Sequence, residues 1–247
     1  MDDLVEDPVI RALARAMRDG PGMSLPDAVK DISEMGVEPE KVHAAAARIS
    51  ERIAEVRTAQ TPRSVVAGNI ESWYPGPRAE DPNWSALVEI LNDGGWRADD
   101  IRGLGDASTK VVANLPNPHG AGEFHCRGLV LGYVQSGKTT NFTAVIAKAA
   151  DAGYRFFVVL SGIHNALRQQ TQDRLNAQLW EPHPERWNRL TNEGDFRPTD
   201  NVDALLANQN QRVLAVVKKN GPRLRALDRW LRGARPELLA RCPILII

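Results

Sequence analysis

One loop of this sequence carries residue types that bind phosphate. The stretch GYVQSGKT, residues 132–139, matches the pattern G-x-x-x-x-G-K-[ST] at every fixed position. Its glycines let backbone N–H groups turn towards an anion, Lys138 would reach the β- and γ-phosphates, and the Thr139 hydroxyl would ligate Mg²⁺. The predicted ligand is ATP rather than GTP, because the sequence has no Asn-Lys-x-Asp tetrapeptide to read guanine. Lys138 and Thr139 are the predicted catalytic residues, with Thr139 as metal ligand, and the nucleotide-binding set is Gly132, Gln135, Ser136, Gly137, Lys138, Thr139 and Thr140.

Strand and helix patterns surround this loop. A short apolar run predicts a strand at 128–131, and apolar residues at helical spacing predict a helix over 138–152. Continuous apolar strands alternating with helices are typical of a parallel sheet buried on both faces, so we expect an α/β fold with βαβ connections. Further strands are predicted at 156–160, 213–217 and 244–247, and further helices at 165–179, with Leu167, Thr171, Leu175 and Leu179 on one face, and at 222–233.

Small and basic residues follow two of these predicted strands. Ser161 and Gly162 come after the second strand, and Lys218, Lys219 and Asn220 come after the third. Small residues at the carboxyl end of a strand can hold a phosphate with N–H and hydroxyl groups, and neighbouring lysines add charge. Ordinary strand-to-helix turns and a solvated basic helix face over 222–233 would explain the same residues without a ligand. The pattern leaves both interpretations open.

The charge of the chain is divided unevenly although its formal net charge is zero. Residues 1–120 hold 13 Lys and Arg against 20 Asp and Glu, and residues 121–247 hold 18 against 11. The second half could therefore attract a polyanion while the whole chain stays neutral.

Three regions are predicted along the chain: an α-helical bundle over 1–60, an irregular connector over 61–120 with a helix near 84–91, and a P-loop NTPase lobe over 121–247. Asp7 before Pro8 predicts a helix start, and Pro39 begins the clearest apolar stripe. The bundle is acidic, which favours packing or docking of a protein partner over DNA binding by a helix-turn-helix.

Several other classes of protein are disfavoured. Cys126 and Cys242 lie far apart and no histidine stands at metal-ligand spacing, which argues against a disulfide framework or a zinc site. His164 is interpreted as a capping or packing residue, because nothing in the sequence pairs it with a nucleophile. No apolar run approaches the roughly 20 residues that span a bilayer, and the acidic start is unlike a signal peptide. We expect a cytoplasmic protein with no membrane partner.

Three stretches carry a family resemblance: RGLVLGYVQSGKTTNFTAVIAKAADAGYRFFVVLSGIHNALRQQTQDRL at 127–175, VLAVVKKN at 213–220 and PILII at 243–247. Over about residues 70–247 the chain resembles the Z-one domain family, helicase-like ATPases of superfamily two that are often described as endonucleases and belong to bacterial restriction-modification and phage-defence gene clusters. The resemblance implies a RecA-like lobe of an ATP-driven DNA translocase. It also implies that 132–139 is motif I, that 161–165 with Arg168 and Gln172 is motif Ia, and that 218–220 is motif Ib. The nucleic-acid-binding set is then Ser161, Gly162, Arg168, Gln172, Lys218, Lys219 and Asn220.

The chain departs from this family at its end. There the strand matching 244–247 is followed by an acidic motif II, whose carboxylates hold Mg²⁺ and the attacking water, whereas this sequence stops at Ile247. We therefore expect an amino-terminal fragment that binds nucleotide weakly and hydrolyses it negligibly, although the full-length protein would be a DNA-dependent ATPase. No nuclease constellation of carboxylates or histidines is recognisable. The alternatives are a nucleotide-switched scaffold or regulatory module and, more weakly, a P-loop small-molecule kinase.

Overall fold

The computed structural model describes residues 7–19, 25–58, 73–120, 122–130, 138–197 and 201–247. The chain divides into two compact units, residues 1–65 and 66–247. Among the helices of these ranges, none combines the length and the apolar character needed to cross a membrane.

The first unit is helical, as predicted. It contains α1 (Pro8–Asp19), α2 (Leu25–Glu34) and α3 (Pro39–Thr58). The Asp7 carboxylate caps α1, because its Oδ1 accepts hydrogen bonds from the N–H groups of Val9 at 2.8 Å and Ile10 at 3.3 Å. The apolar stripes of the three helices meet in one small core made of Ile10, Leu13, Ala28, Ile32, Val42 and Ala45.

The second unit is built on a sheet of four parallel strands, hydrogen-bonded in the order β2-β3-β1-β4. The strands are β1 (Phe156–Ser161), β2 (Trp187–Arg189), β3 (Arg212–Lys218) and β4 (Ile244–Ile246). The α-helices are α4 (Pro82–Asp93), α5 (Ala98–Ala113), α6 (Lys138–Asp151), α7 (Asn165–Leu175), α8 (Val202–Ala207), α9 (Gly221–Arg232) and α10 (Pro236–Ala240). A π-helical turn, Asn176–Trp180, extends α7, and a 3₁₀ turn, Pro184–Arg186, precedes β2. The predicted α/β fold with a parallel sheet is confirmed.

Helices cover both faces of this sheet. Alternate residues of β1 enter two different cores: Phe157 and Val159 pack with α6, whereas Phe156 and Val158 pack with α8 and α9. Burial on both faces explains why β1 and β3 read as continuous apolar runs. Four small side chains of α6 are fully buried, which allows neighbouring elements to approach this helix closely: Ala144, Ala147, Ala149 and Ala150.

The strand predicted at 128–131 is not present in the part of it that the structure describes. Residues 128–130 form no regular element, and Leu129 is 82% exposed. Leu131 lies outside the described residues. A short apolar run supplies the propensity for a strand, but the sequence does not say whether a sheet edge pairs with it.

The region predicted as a connector is more ordered than its composition suggested. Within residues 73–120, α4 and α5 contribute Leu87, Leu91, Ile101 and Val112 to the same core as α6 and the sheet. The helix α5 was missed because its sequence, ADDIRGLGDASTKVVA, contains two glycines and few apolar residues. Packing against α6 stabilises it where propensity does not.

The carboxyl end of α6 is tied to the amino end of α4 by a half-buried carboxylate. Asp151 accepts hydrogen bonds from the backbone N–H groups of Asn83 at 3.2 Å and Trp84 at 2.9 Å, and from Asn83 Nδ2 at 2.6 Å. Burial raises the pKa of Asp151, and these hydrogen bonds oppose the rise. The same asparagine accepts a hydrogen bond from the Trp187 indole at 2.9 Å, which connects the cluster to β2.

A lysine is buried between α6, α5 and α4. Lys148 is 0% exposed, and its Nζ donates to Gly105 O at 2.6 Å and to Thr109 Oγ1 at 2.8 Å. The same atom lies 4.0 Å from the centroid of the Trp84 ring, so the ammonium also makes a cation–π contact. Burial lowers the pKa of Lys148 to about 8, although the nearby Asp106 opposes the shift.

This lysine makes the stability of the second unit depend on pH. Because its pKa falls from 10.5 to about 8 on folding, the unfolded chain holds a proton that the native chain loses above pH 8. We therefore expect the free energy of unfolding to rise by about 1 kcal/mol between pH 7.5 and 9, and Lys148→Met to remove this rise. Urea unfolding followed by tryptophan fluorescence measures it, since all six tryptophans lie in residues 66–247.

The control for this measurement is Lys110→Met, which changes an exposed lysine on α5 and should leave the pH dependence intact. The range stops at pH 9 because burial raises the pKa of Cys242 to about 11, and that thiol lowers stability at higher pH. A pH dependence that is the same in wild type and Lys148→Met would contradict the prediction.

Candidate phosphate-binding edge

The helix α6 starts at the carboxyl edge of the sheet. Its last turn lies at the opposite edge, because Arg212, the first residue of β3, donates from Nε and an Nη to Ala150 O at 3.1 Å. In the 14 residues of α6 the backbone N–H groups point to the other end, where Lys138 and Thr139 begin the helix. The N-terminus of a helix of this length attracts anions.

The loop predicted to bind ATP lies mostly outside the described residues. This holds for Gly132, Gln135, Ser136 and Gly137 and for the side chain of Lys138. Thr139 is half-buried, and its carbonyl accepts a hydrogen bond from Thr143 Oγ1 at 2.9 Å. Thr140 is buried. The prediction that this loop holds Mg-ATP therefore remains a prediction.

The second predicted phosphate site is assembled at the same edge. Ser161 and Lys218, the last residues of β1 and β3, are direct partners in the register of the two strands. The Lys219 N–H donates to Ser161 O at 3.0 Å, which holds the two strand ends together. Gly162 and Lys219 are exposed, whereas Ser161 is buried and its hydroxyl donates to Gly162 O at 3.3 Å. Asn220 caps α9 by accepting a hydrogen bond from Arg223 N at 3.1 Å. Five of the predicted nucleic-acid-binding residues thus lie side by side.

The basic side chains at this edge differ in how freely they could contact an anion. Lys218 Nζ donates to Asn165 Oδ1 at 2.8 Å and lies 3.7 Å from Asp195 Oδ2, and its side chain is only 17% exposed. Arg223 Nε lies 3.4 Å from the same carboxylate oxygen. Asp195 therefore offsets part of the charge of Lys218 and Arg223, whereas Lys219 presents its side chain to solvent. Nothing in the sequence marks Asp195 as a partner, because it is distant along the chain and lies in a loop.

Arg168 and Gln172 do not belong to this surface. Arg168 is 2% exposed, and its guanidinium donates to the carbonyl oxygens of Asn192 at 2.7 Å and Glu193 at 3.1 Å. Gln172 is fully buried and accepts a hydrogen bond from Thr191 Oγ1 at 2.7 Å. Both side chains satisfy polar groups of the interior, so neither can reach a nucleic acid in this conformation.

The face of α7 that was expected to be apolar is rotated away from the core. Leu175 and Leu179 are buried as predicted, but Leu167 is 50% exposed and Thr171 is only half-buried. The interior side of the first two turns is occupied by Arg168 and Gln172. A buried polar network with the loop at 191–193 thus replaces the apolar stripe, and it leaves a leucine facing solvent beside Gly162.

Histidine and metal chemistry find no further support at this edge. His164 is exposed, and its carbonyl accepts the Arg168 N–H at 3.1 Å, so it starts α7 through its backbone. Within the described ranges, no three His, Cys, Asp or Glu side chains form a group that could hold a metal ion. The predicted role of Thr139 as a Mg²⁺ ligand depends on a bound nucleotide to supply phosphate oxygens.

The arrangement at the carboxyl edge thus consists of the N-terminus of α6, which begins with the last two residues of a G-x-x-x-x-G-K-T sequence, and a pair of strand ends with N–H and lysine groups. The likeness to the Z-one domain family stays a prediction. Comparisons of the chain with protein-family models, with curated proteins and with solved structures found no match.

Proposed function

We propose that this chain binds Mg-ATP at residues 132–139 and is the ATP-binding part of a DNA translocase or helicase-like protein of a restriction or phage-defence system. The observation that carries the proposal is the placement of α6, whose first residues are Lys138 and Thr139, at the same edge of the sheet as Ser161 and Lys219. In open α/β sheets, ligands bind outside the carboxyl ends of the strands, which supports a site for phosphates here.

Each part of this edge has a defined task in the proposal. Lys138 and the N–H groups at the start of α6 neutralise the phosphates of ATP, and the Thr139 hydroxyl orients Mg²⁺. The Gly162 N–H and the Lys219 ammonium hold the backbone phosphates of DNA, without reading its sequence. Because β1 follows α6 directly and ends in Ser161, a movement of α6 caused by nucleotide would be passed to the DNA contacts.

The test of this function is a pair of titrations. Mg-ATP binding by the chain is measured by calorimetry, and ATP turnover by the complete gene product is measured with and without DNA. Stimulation of turnover by DNA supports a translocase. ATP binding without any effect of DNA would instead favour a nucleotide-switched scaffold, and phosphorylation of a small molecule would favour a kinase. Failure to bind Mg-ATP would refute the proposal.

The salt dependence of DNA binding gives a prediction for a single residue. Each phosphate neutralised by a lysine releases counterions, so the affinity falls with salt on a log–log plot. We expect Lys219→Ala to reduce the slope of this plot by about 0.7 to 0.9, because Lys219 is exposed at the strand end. Fluorescence anisotropy of labelled DNA at several salt concentrations measures the slope.

Two variants serve as controls for this slope. Lys218→Ala should change it less, because Asp195 already offsets that charge. Lys110→Ala, on the exposed side of α5, should leave it unchanged. A slope unaffected by Lys219→Ala would remove this residue from the path of the DNA.

A further inference from the structure

Two large apolar side chains are exposed beside the strand end that carries Ser161. Ile163 is 62% exposed and Leu167 is 50% exposed. Ile163 lies two residues before α7 and Leu167 lies in its first turn. Leu167 packs over Gly162, the neighbour of Ile163, because a Cβ added to that glycine would lie 3.1 Å from Leu167 Cδ1. Neighbouring exposed apolar side chains can form part of a contact surface for a partner.

The exposure of Leu167 follows from the way α7 is rotated about its own axis. The helix buries Arg168 and Gln172 on its inner side and leaves Leu167 on its outer side. In this orientation two polar side chains form hydrogen bonds in the interior, and an apolar side chain is exposed to solvent. Hydrogen bonds from Arg168 and Gln172 to the loop at 191–193 fix the rotation of α7. They therefore also fix the position of Leu167 on the surface.

The charges around the patch indicate the chemistry of its partner. Ser161 and Lys219 border it through the paired ends of β1 and β3, and the Asn165 side chain is held by Lys218 at 2.8 Å. Asp195, an acidic residue at this edge, is 7% exposed at its side chain and is paired with Lys218 and Arg223. A partner that combines negative charge with flat apolar surface complements these neighbours.

On this basis we propose that the patch formed by Ile163 and Leu167 contacts the bases of single-stranded DNA while Gly162 and Lys219 hold its phosphates. The inference rests on the proposed function, and it names the form of DNA that the edge takes. A single strand exposes the faces of its bases next to its phosphates, whereas a duplex keeps those faces inside its stack. A duplex would therefore use the lysine but not the apolar patch.

This division of labour predicts two separable components of binding. Contact between apolar side chains and bases changes little with salt, because no counterion is released, whereas the lysine contact sets the slope of the salt dependence. Removing the patch should then lower the affinity for single strands by the same factor at every salt concentration. Removing Lys219 should change the slope for single and double strands alike.

The experiment compares wild type with the double variant Ile163→Ser, Leu167→Ser, using a labelled 20-nucleotide oligothymidine and a labelled 20-base-pair duplex. We expect the double variant to bind the single strand about tenfold more weakly with an unchanged salt slope, and to bind the duplex as wild type does. Met35→Ser is the matched control, because Met35 is 79% exposed in the first unit. All variants are checked for the same urea midpoint.

A variant that is expected to bind single strands more tightly complements the serine variant, because damage to the fold would not tighten binding. Ile163→Trp enlarges the surface on which a base can stack, so it should tighten single-strand binding and its fluorescence should be quenched by the bound strand. Equal weakening of single-strand and duplex binding by the serine variant, or no weakening at all, would overturn the inference. So would a wild-type dimer in light scattering that the serine variant abolishes, because a second copy would then cover the patch.

The inference and the proposed function fail in different ways. If the wild-type chain binds neither DNA at low salt, the DNA part of the proposed function is refuted together with the inference. If wild type binds DNA with a salt slope that depends on Lys219 but the patch variants have no effect, only the inference fails.

Discussion

Replacing Lys138 by alanine is expected to weaken the binding of Mg-ATP about tenfold to a hundredfold. The ammonium in the pattern G-x-x-x-x-G-K-T makes charge-assisted hydrogen bonds to the β- and γ-phosphates, and each such contact is worth about 1.5 to 3 kcal/mol. A loss of this size converts to the stated factors in affinity, since about 1.4 kcal/mol corresponds to a factor of ten. Calorimetric titration of wild type and variant with Mg-ATP measures the ratio directly.

The controls for this variant use the same edge of the sheet. Lys219→Ala removes a positive charge at the strand end and should leave ATP affinity within about twofold of wild type, since Lys219 is exposed to solvent and is not part of the G-x-x-x-x-G-K-T loop. Thr139→Ala should weaken binding in the presence of Mg²⁺ more than in its absence. If Lys138→Ala binds Mg-ATP as tightly as wild type, the loop does not hold phosphates.

The second large effect concerns stability. Asp151→Ala should lower the free energy of unfolding of the second unit by about 2 to 4 kcal/mol, because three donors at the start of α4 lose a charged acceptor. Asp151→Asn keeps one acceptor oxygen and should lose less. Urea unfolding followed by tryptophan fluorescence at pH 7 gives the values.

Glu89→Ala is the matched control for Asp151, since it removes an exposed carboxylate from the middle of α4 and should change the free energy of unfolding by no more than about 0.5 kcal/mol. The carboxylate would have no structural role if Asp151→Ala and Glu89→Ala unfolded at the same urea concentration. A loss seen equally in Asp151→Asn and Asp151→Ala would mean that charge, rather than the number of accepted hydrogen bonds, is what α4 requires.

The sequence was sufficient to predict those strands whose residues are buried on both faces of the sheet. β1 and β3 are covered on both faces, so their residues form unbroken apolar runs and both strands were predicted within a residue or two of their observed ends. β2 could not be found in this way, because its three residues, Trp187, Asn188 and Arg189, include two polar ones. Its position depends on pairing with β3 and on the indole bond to Asn83, which are contacts between distant parts of the chain.

The candidate site was predicted in part for the same reason. Residues that follow directly after two parallel strands must lie near one another, so Ser161 and Lys218 were correctly expected at one edge. Which side of a following helix faces the core is decided by packing, and for α7 the polar network around Arg168 and Gln172 outweighed the apolar spacing. Pattern reasoning assigns leucines to the interior, so it could not anticipate an exposed Leu167.

The Asp151 cluster also has a mechanical consequence. At about 1.5 Å per residue, the 14 residues of α6 form a rod of about 21 Å. One end of this rod is clamped, because Asp151 holds α4 and Ala150 O is held by Arg212. Force applied at the free end, where Lys138 begins the helix, cannot slide the rod along its axis without breaking the clamp. A change of load at the start of α6 is therefore resisted by hydrogen bonds at its other end, about 21 Å away.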